Sequence, residues 1–320
     1  AISTLPGHKM LLQGNGEEAV FLTIIGSCIA ICSLIIVFPM LIVIIKTFYD
    51  SIEIMMGYIL LVTTVFLLTQ EKKGKIKAII IFFFAGLLGI VTLNSNIQEP
   101  LFPLLSGLFG ASTILFSLKQ KAIIPKQQKT KTKVVIKELV KPSLLTIVVS
   151  PICSLLPGLG SSQAAHLATK ITKKISTKQF LILLGSINTL VIATSFITLY
   201  LLGRTRTGVS YAISQITTVT SATIIIVVFV IIITAIIVAP LTYFISKKIA
   251  KNIHKIRYTL IMRIILCILS VLVLAISGLH GLLIYINGAI IGLLAIEFGV
   301  SKSHLMGAIL LPTLLYYLPF

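Results

Sequence analysis

The sequence predicts an all-α, polytopic membrane protein of about nine or ten transmembrane helices, with a Pro/Gly-broken re-entrant helix and an internal repeat. Two observations carry the class. Hydrophobic residues fill 57% of the 320 positions against 11% charged, with a mean hydropathy of +1.10, a composition foreign to ordinary soluble domains. The 27 Lys and Arg, against 8 acids, sit almost wholly between long apolar blocks, so the formal charge of +19 marks orientation in a bilayer rather than affinity for nucleic acid.

Each element follows from the charge-free stretches. Ala19 to Ile45, Ala78 to Gln98, Pro100 to Leu118, Pro142 to Thr169, Gln179 to Gly203, Thr207 to Ser246 and Ile264 to Ile296 contain no Asp, Glu, Lys or Arg. Each supplies the roughly 20 helical residues that cross about 30 Å of hydrocarbon. Ile54 to Gln70 and Ser303 to Phe320 are shorter spans of the same kind. Nothing alternates at period two, so helices rather than barrel strands must pair the backbone groups in lipid. The opening Ala1 to Glu18 is polar and does not read as a signal peptide. Cys28, Cys32, Cys153 and Cys267 all lie in apolar spans and read as packing residues.

The basic clusters set the topology. Lys72, Lys73, Lys75 and Lys77, eight lysines from Lys119 to Lys141, Lys170 to Lys178, and Lys247 to Arg257 alternate at first with the acidic loops at Asp50 and Glu53 and at Glu99. The positive-inside rule places the basic loops in the cytoplasm of a multi-pass cell-membrane protein. If Ser143 to Thr169 enters and leaves on one side as a hairpin, 24 of the 27 cations are cytoplasmic, with Lys46, Arg204 and Arg206 outside. A single crossing would divide the cations nearly evenly, so the charge pattern favours the hairpin. The linker has no apolar periodicity and no aromatic residue for stacking on bases, so it reads as a solvated, lipid-facing connector.

A shift of 159 residues lays Phe21–Ser27 on Phe180–Ser186, and basic loops recur at equivalent places. The organisation expected is therefore residues 1–118 as the remainder of a first transmembrane repeat, 119–142 as a basic cytoplasmic linker and 143–320 as a second repeat. Such duplication is typical of secondary transporters.

The sharpest local feature is Pro157-Gly158-Leu159-Gly160 inside an apolar span. Proline removes a donor and glycine permits non-helical backbone, so the helix opens where the freed groups must be buried or line a wet cavity. Beyond it, Ser161 or Ser162 caps a new helix whose N–H groups and dipole attract an anion. Pro157, Gly158, Gly160, Ser161, Ser162 and Gln163 are the candidate substrate-binding residues, joined by Asn188 of the next span. His166 shares a face with Ser162 and is a candidate proton-coupling group, with a packing role as the alternative. Glu297 is expected to be solvated or paired, with Lys302 close by in sequence.

These residues resemble the large membrane subunit of the tripartite tricarboxylate transporters, particularly its archaeal branch. The resemblance rests on Leu5–Leu12 with Gly14, Gly16, Glu17 and Ala19, on Pro103–Gly110, on Leu156–Gly160, and on Gly185-Ser186-Ile187-Asn188. It implies an ion-coupled permease for a small organic anion of the tri- or dicarboxylate kind, with Na+ or H+ as coupling ion and neither metal nor organic cofactor. Bacterial relatives work with a small membrane subunit and an extracytoplasmic binding protein. Members usually carry a Pro-Gly signature in each half; one is visible here, so the N-terminal part of the first repeat is expected to be missing. A non-transporting scaffold or degenerate subunit is the alternative. An intramembrane serine hydrolase using Ser161 or Ser162 with His166 ranks last, because an oriented pair and an oxyanion hole are required.

Overall fold

A computed structural model of the chain describes all residues except 1–5, 70, 72–73, 121–123, 129–134, 156–160, 162–163, 166–167, 169–171, 173–174, 206, 256 and 319–320, and only the backbone at 50–53, 137 and 155. The described residues are mostly helical, with no strand. In order they form α1 (Pro6–Leu12), α2 (Gly16–Thr69), α3 (Lys75–Leu93), α4 (Leu101–Gln120), α5 (Ile136–Leu155), α6 (Thr177–Leu202), α7 (Gly208–Ile216), α8 (Ser221–Asn252), α9 (Tyr258–Glu297) and α10 (Gly307–Tyr317). Among the described residues, six helical stretches are long and apolar enough to cross a membrane.

Two compact units divide the chain. One contains Ile54–Ile123 and Lys255–Phe320, the other Ser3–Glu53 and Ile124–His254. Each therefore takes one segment from each half of the sequence. The acidic outer loop expected at Asp50 and Glu53 is not a loop, since α2 stays helical through it. No glycine or proline lies between Pro39 and Gly57, so nothing there breaks the backbone.

In the Ser3–Glu53 and Ile124–His254 unit, α2 and α6 lie side by side. Ala19 and Leu22 share a cluster with Leu181 and Ile182, Ala30 and Leu34 with Leu190 and Ala193, and Leu41 and Ile45 with Ile197. The contacts advance in the same direction on both helices, so the two run parallel. Their crossing is glycine on backbone: a Cβ at Gly26 would collide with the carbonyl of Ile182, and one at Gly185 with the carbonyl of Thr23. Ser186 Oγ donates to Gly26 O at 2.8 Å, and Thr189 Oγ1 donates to Ser27 Oγ at 2.9 Å. Lys178 and Glu18 close the shared end with an ion pair of 2.7 Å. At the far end Arg204 lies 5.7 Å from the Tyr49 ring.

The linker is less free than its composition suggests. Gln127 Oε1 accepts from Gly16 N at 2.8 Å, while its Nε2 donates to Leu11 O at 3.1 Å. One side chain thus serves the orphan donor opening α2 and a carbonyl closing α1 that also accepts from Gly14 N at 3.1 Å.

In the other unit, α9 folds back on itself. Gly278 has φ 65° and ψ −165°, a region closed to residues with a Cβ. Ser270 Oγ reaches Tyr285 Oη at 3.4 Å, whereas 15 residues of straight helix would set them about 22 Å apart. The arms, 258–277 and 279–297, are each about 30 Å long, one bilayer's worth. The second arm lies along α4, where a Cβ at Gly107 would strike the Tyr285 carbonyl, and one at Gly288 would stand 3.3 Å from Leu104 O. At one end of this unit Lys119 pairs with Glu297 at 3.0 Å and Lys77 lies 5.3 Å from the Phe298 ring. At the other, Ser277 Oγ donates to Gln98 O at 3.0 Å.

Candidate functional site

The site lies where α5 runs beside α6. Along α5, Leu139 packs with Leu181 and Ile182, Ile147 with Leu190 and Ala193, and Ser154 hydrogen-bonds Thr194. This helix therefore also runs parallel to α6, and its end at Leu155 reaches only the level of Thr194, with Leu202 still ahead. Beyond it, Ser161 Oγ donates to Asn188 Oδ1 at 3.1 Å, back toward the start of α6. The chain must then return to Thr177 to begin α6. It enters and leaves at the same end, which is the expected re-entrant hairpin.

Local sequence explains the descent. Pro142 and Pro151 lie inside α5, and hydroxyls back-bond down its buried face: Thr146 Oγ1 to Pro142 O at 2.8 Å, Ser150 Oγ to Thr146 O at 2.7 Å and Ser154 Oγ to Ser150 O at 2.9 Å. These residues are fully buried, so every hydroxyl needs such a partner. The returning limb is helical at Ser161, Ala164, Ala165 and Ala168, and the three alanines are buried, which brings its backbone close.

Of the residues selected from the sequence, Ser161 and Asn188 are described, and they touch. Pro157, Gly158, Gly160, Ser162, Gln163 and His166 lie outside the described residues. Asn188 stands 11 residues into α6, about 17 Å deep at 1.5 Å per residue. Its Oδ1 accepts from Ser161, which leaves both Nδ2 hydrogens without a partner among the described residues. An exposed amide at that depth offers two neutral donors to an anion.

Other polar residues of the apolar helices make structural contacts. Ser186 is buried and spent on Gly26 and Ile182, and Asn287 Nδ2 donates to Leu283 O of its own helix. Glu297 pairs with Lys119, while Lys302 turns instead to Thr113 Oγ1 at 2.7 Å. A cavity of about 410 Å³ between α2 and α8 is lined by Thr23, Ser27, Thr189, Thr234 and Thr242 among mostly aliphatic residues. It holds no cation and makes a poor seat for a carboxylate. The reading of the sequence missed the carboxylate of Glu71, which accepts from Ser301 N at 3.1 Å and meets His304 Nε2 at 3.2 Å; no motif announces that pairing across more than 200 residues. Among the described residues there is no group of three His, Cys, Asp or Glu that could hold a metal ion.

Residues 1–307 match a single family description, so that nearly the whole chain is covered. The chain belongs to the tripartite tricarboxylate transporter TctA family. Membership makes it a transporter component and accords with the apolar helices. It is also similar to an uncharacterized protein of Methanocaldococcus jannaschii, 27% identical over 328 residues, covering 99% of this chain and 81% of that protein. No solved structure matches the chain.

Proposed function

We propose that this TctA-family chain is the permease itself, an ion-coupled secondary transporter of small organic anions of the di- and tricarboxylate class. The observation that carries the reading is the Ser161–Asn188 contact. It joins the segment after the Pro-Gly sequence to the following span at mid-depth, where an amide presents neutral donors. A substrate held by N–H groups rather than by a lysine can leave as well as enter.

In this reading Pro157, Gly158 and Gly160 open the backbone, Ser161, Ser162, Gln163 and Asn188 bind the anion, and His166 handles a proton if H+ rather than Na+ is the coupling ion. The basic loops face the cytoplasm. Residues 1–118 and 143–320 are two repeats joined by the 119–142 linker. A small membrane subunit and an extracytoplasmic binding protein are the partners the family description suggests, and membrane lipids surround the apolar faces.

The test is uptake by proteoliposomes containing the full chain, with labelled citrate, succinate and an uncharged control under imposed Na+ or H+ gradients. Gradient-dependent accumulation of a carboxylate supports the permease. Absence of uptake under both gradients, with and without partner subunits, overturns it.

A further inference from the structure

The most exposed helix of the molecule ends in a cationic stripe. None of the most apolar window of α8 is buried, and Ala250 is its one buried residue. From Ser221 to Pro240 it rises about 30 Å, the thickness of the hydrocarbon, so its last 12 residues extend through the headgroup layer when the helix stands upright. That final stretch carries Lys247, Lys248 and Lys251, all exposed.

The stripe is rooted. Tyr243 packs on Phe21 of α2 with ring centroids 5.6 Å apart, and Lys247 Nζ stands 5.9 Å from the same Tyr243 ring. An aromatic at the polar boundary with lysines one and two turns beyond it is the arrangement that meets lipid headgroups. The charges are uncompensated. No acidic residue lies between Glu138 and Glu297 in sequence, and none of the three lysines has an acid partner among the described residues. Glu18, at the same end of α2 as Phe21, is already committed to Lys178.

We propose that the C-terminal turns of α8 form a binding site for anionic phospholipid headgroups, with Lys247, Lys248 and Lys251 holding the phosphate and Tyr243 fixing the depth. The ligand is a membrane lipid because the site begins where the hydrocarbon ends and the rest of the helix is available to acyl chains. Each lysine near an anionic surface adds an attraction screened by salt.

The test uses the full chain in detergent micelles doped with phosphatidylglycerol, with phosphatidylcholine, or with inorganic phosphate alone. Phosphatidylglycerol is expected to raise the unfolding midpoint by about 2–4 °C over phosphatidylcholine. The K247Q/K248Q/K251Q variant should lose at least half of that difference, and the K247R/K248R/K251R variant should keep it. If the triple glutamine chain does not fold, K251Q alone is read against wild type by the number of phosphatidylglycerol molecules retained in native mass spectrometry, with a lower number expected. Equal stabilisation by both lipids, an unchanged response in the glutamine variants, or an equal effect of inorganic phosphate would each overturn the proposal.

Discussion

Gly26 and Gly185 face each other's helices in the same way: each lies against the carbonyl of the residue that, in the 159-residue register, stands three positions before its counterpart. Gly26 meets Ile182, and Gly185 meets Thr23. The relationship is reciprocal, as in an isologous contact between two copies of one segment. Gly107 and Gly288 repeat the device in the other unit at a shift of 181, meeting Tyr285 and Leu104. In both units, therefore, one helix from each half of the sequence crosses its counterpart in parallel.

This crossing has no room for a side chain. Gly26→Leu and Gly185→Leu should each destabilise the chain by about 1–3 kcal/mol or more, through the overpacking of a backbone contact. The paired outcome is the informative one, since either substitution forces the same two helices apart. Thermal unfolding in detergent checks it, and the double variant should cost less than the sum of the singles.

Gly278 tests the hairpin in α9. Its positive φ and extended ψ exclude a Cβ, so Gly278→Ala should lose about 1–3 kcal/mol although no neighbouring atom lies within 4 Å of the added carbon. The same unfolding assay reads it. Wild-type stability in this variant would mean that α9 turns elsewhere.

The sequence disclosed the class, the apolar spans and the one-sided hairpin because each leaves a one-dimensional trace: hydropathy, charge-free length, and proline with glycine inside a span. Ser161 was singled out as the residue after the Pro-Gly break and Asn188 as a polar residue in the next span, and the structure places the two in contact. The turn at Gly278 was missed because Ile264 to Ile296 carries no charged residue and was read as one span, although Ser277, Gly278, His280 and Gly281 interrupt its aliphatic run. The helical continuity across Asp50 and Glu53 was missed because charge was read as a loop, while a turn needs a residue that breaks the helix. Contacts such as Glu71 with His304 depend on distant segments meeting and leave no local signal.

Sidedness gives a direct check on the re-entrant path. Cysteines placed at Val135 and Ile175 in an otherwise cysteine-free chain should react with an impermeant thiol reagent from one side of the membrane, and one at Gly203 from the other. Labelling of the first two from opposite sides would mean that Ile136 to Thr177 crosses once.

Lys302 predicts an alkaline effect. Burial holds its ammonium pKa below the usual 10.5, so the folded chain gives up that proton before the unfolded chain does. Between the lowered value and 10.5 the unfolded state binds more protons, and stability must rise with pH across that window. Lys302→Met removes this slope, which thermal midpoints measured from neutral to alkaline pH will show as a flatter profile than wild type.

The most direct measurement of the central claim is gradient-driven carboxylate uptake by proteoliposomes of wild type, Asn188→Leu and Asn188→Gln at matched protein density. Loss of the amide donors should reduce uptake by Asn188→Leu at least about 10-fold, the scale of one lost hydrogen bond to a charged ligand, while Asn188→Gln retains part of it. Insertion and thermal stability should stay close to wild type, because Asn188 is exposed. Undiminished uptake by Asn188→Leu would contradict the assignment of the Ser161–Asn188 contact as the place where the anion binds.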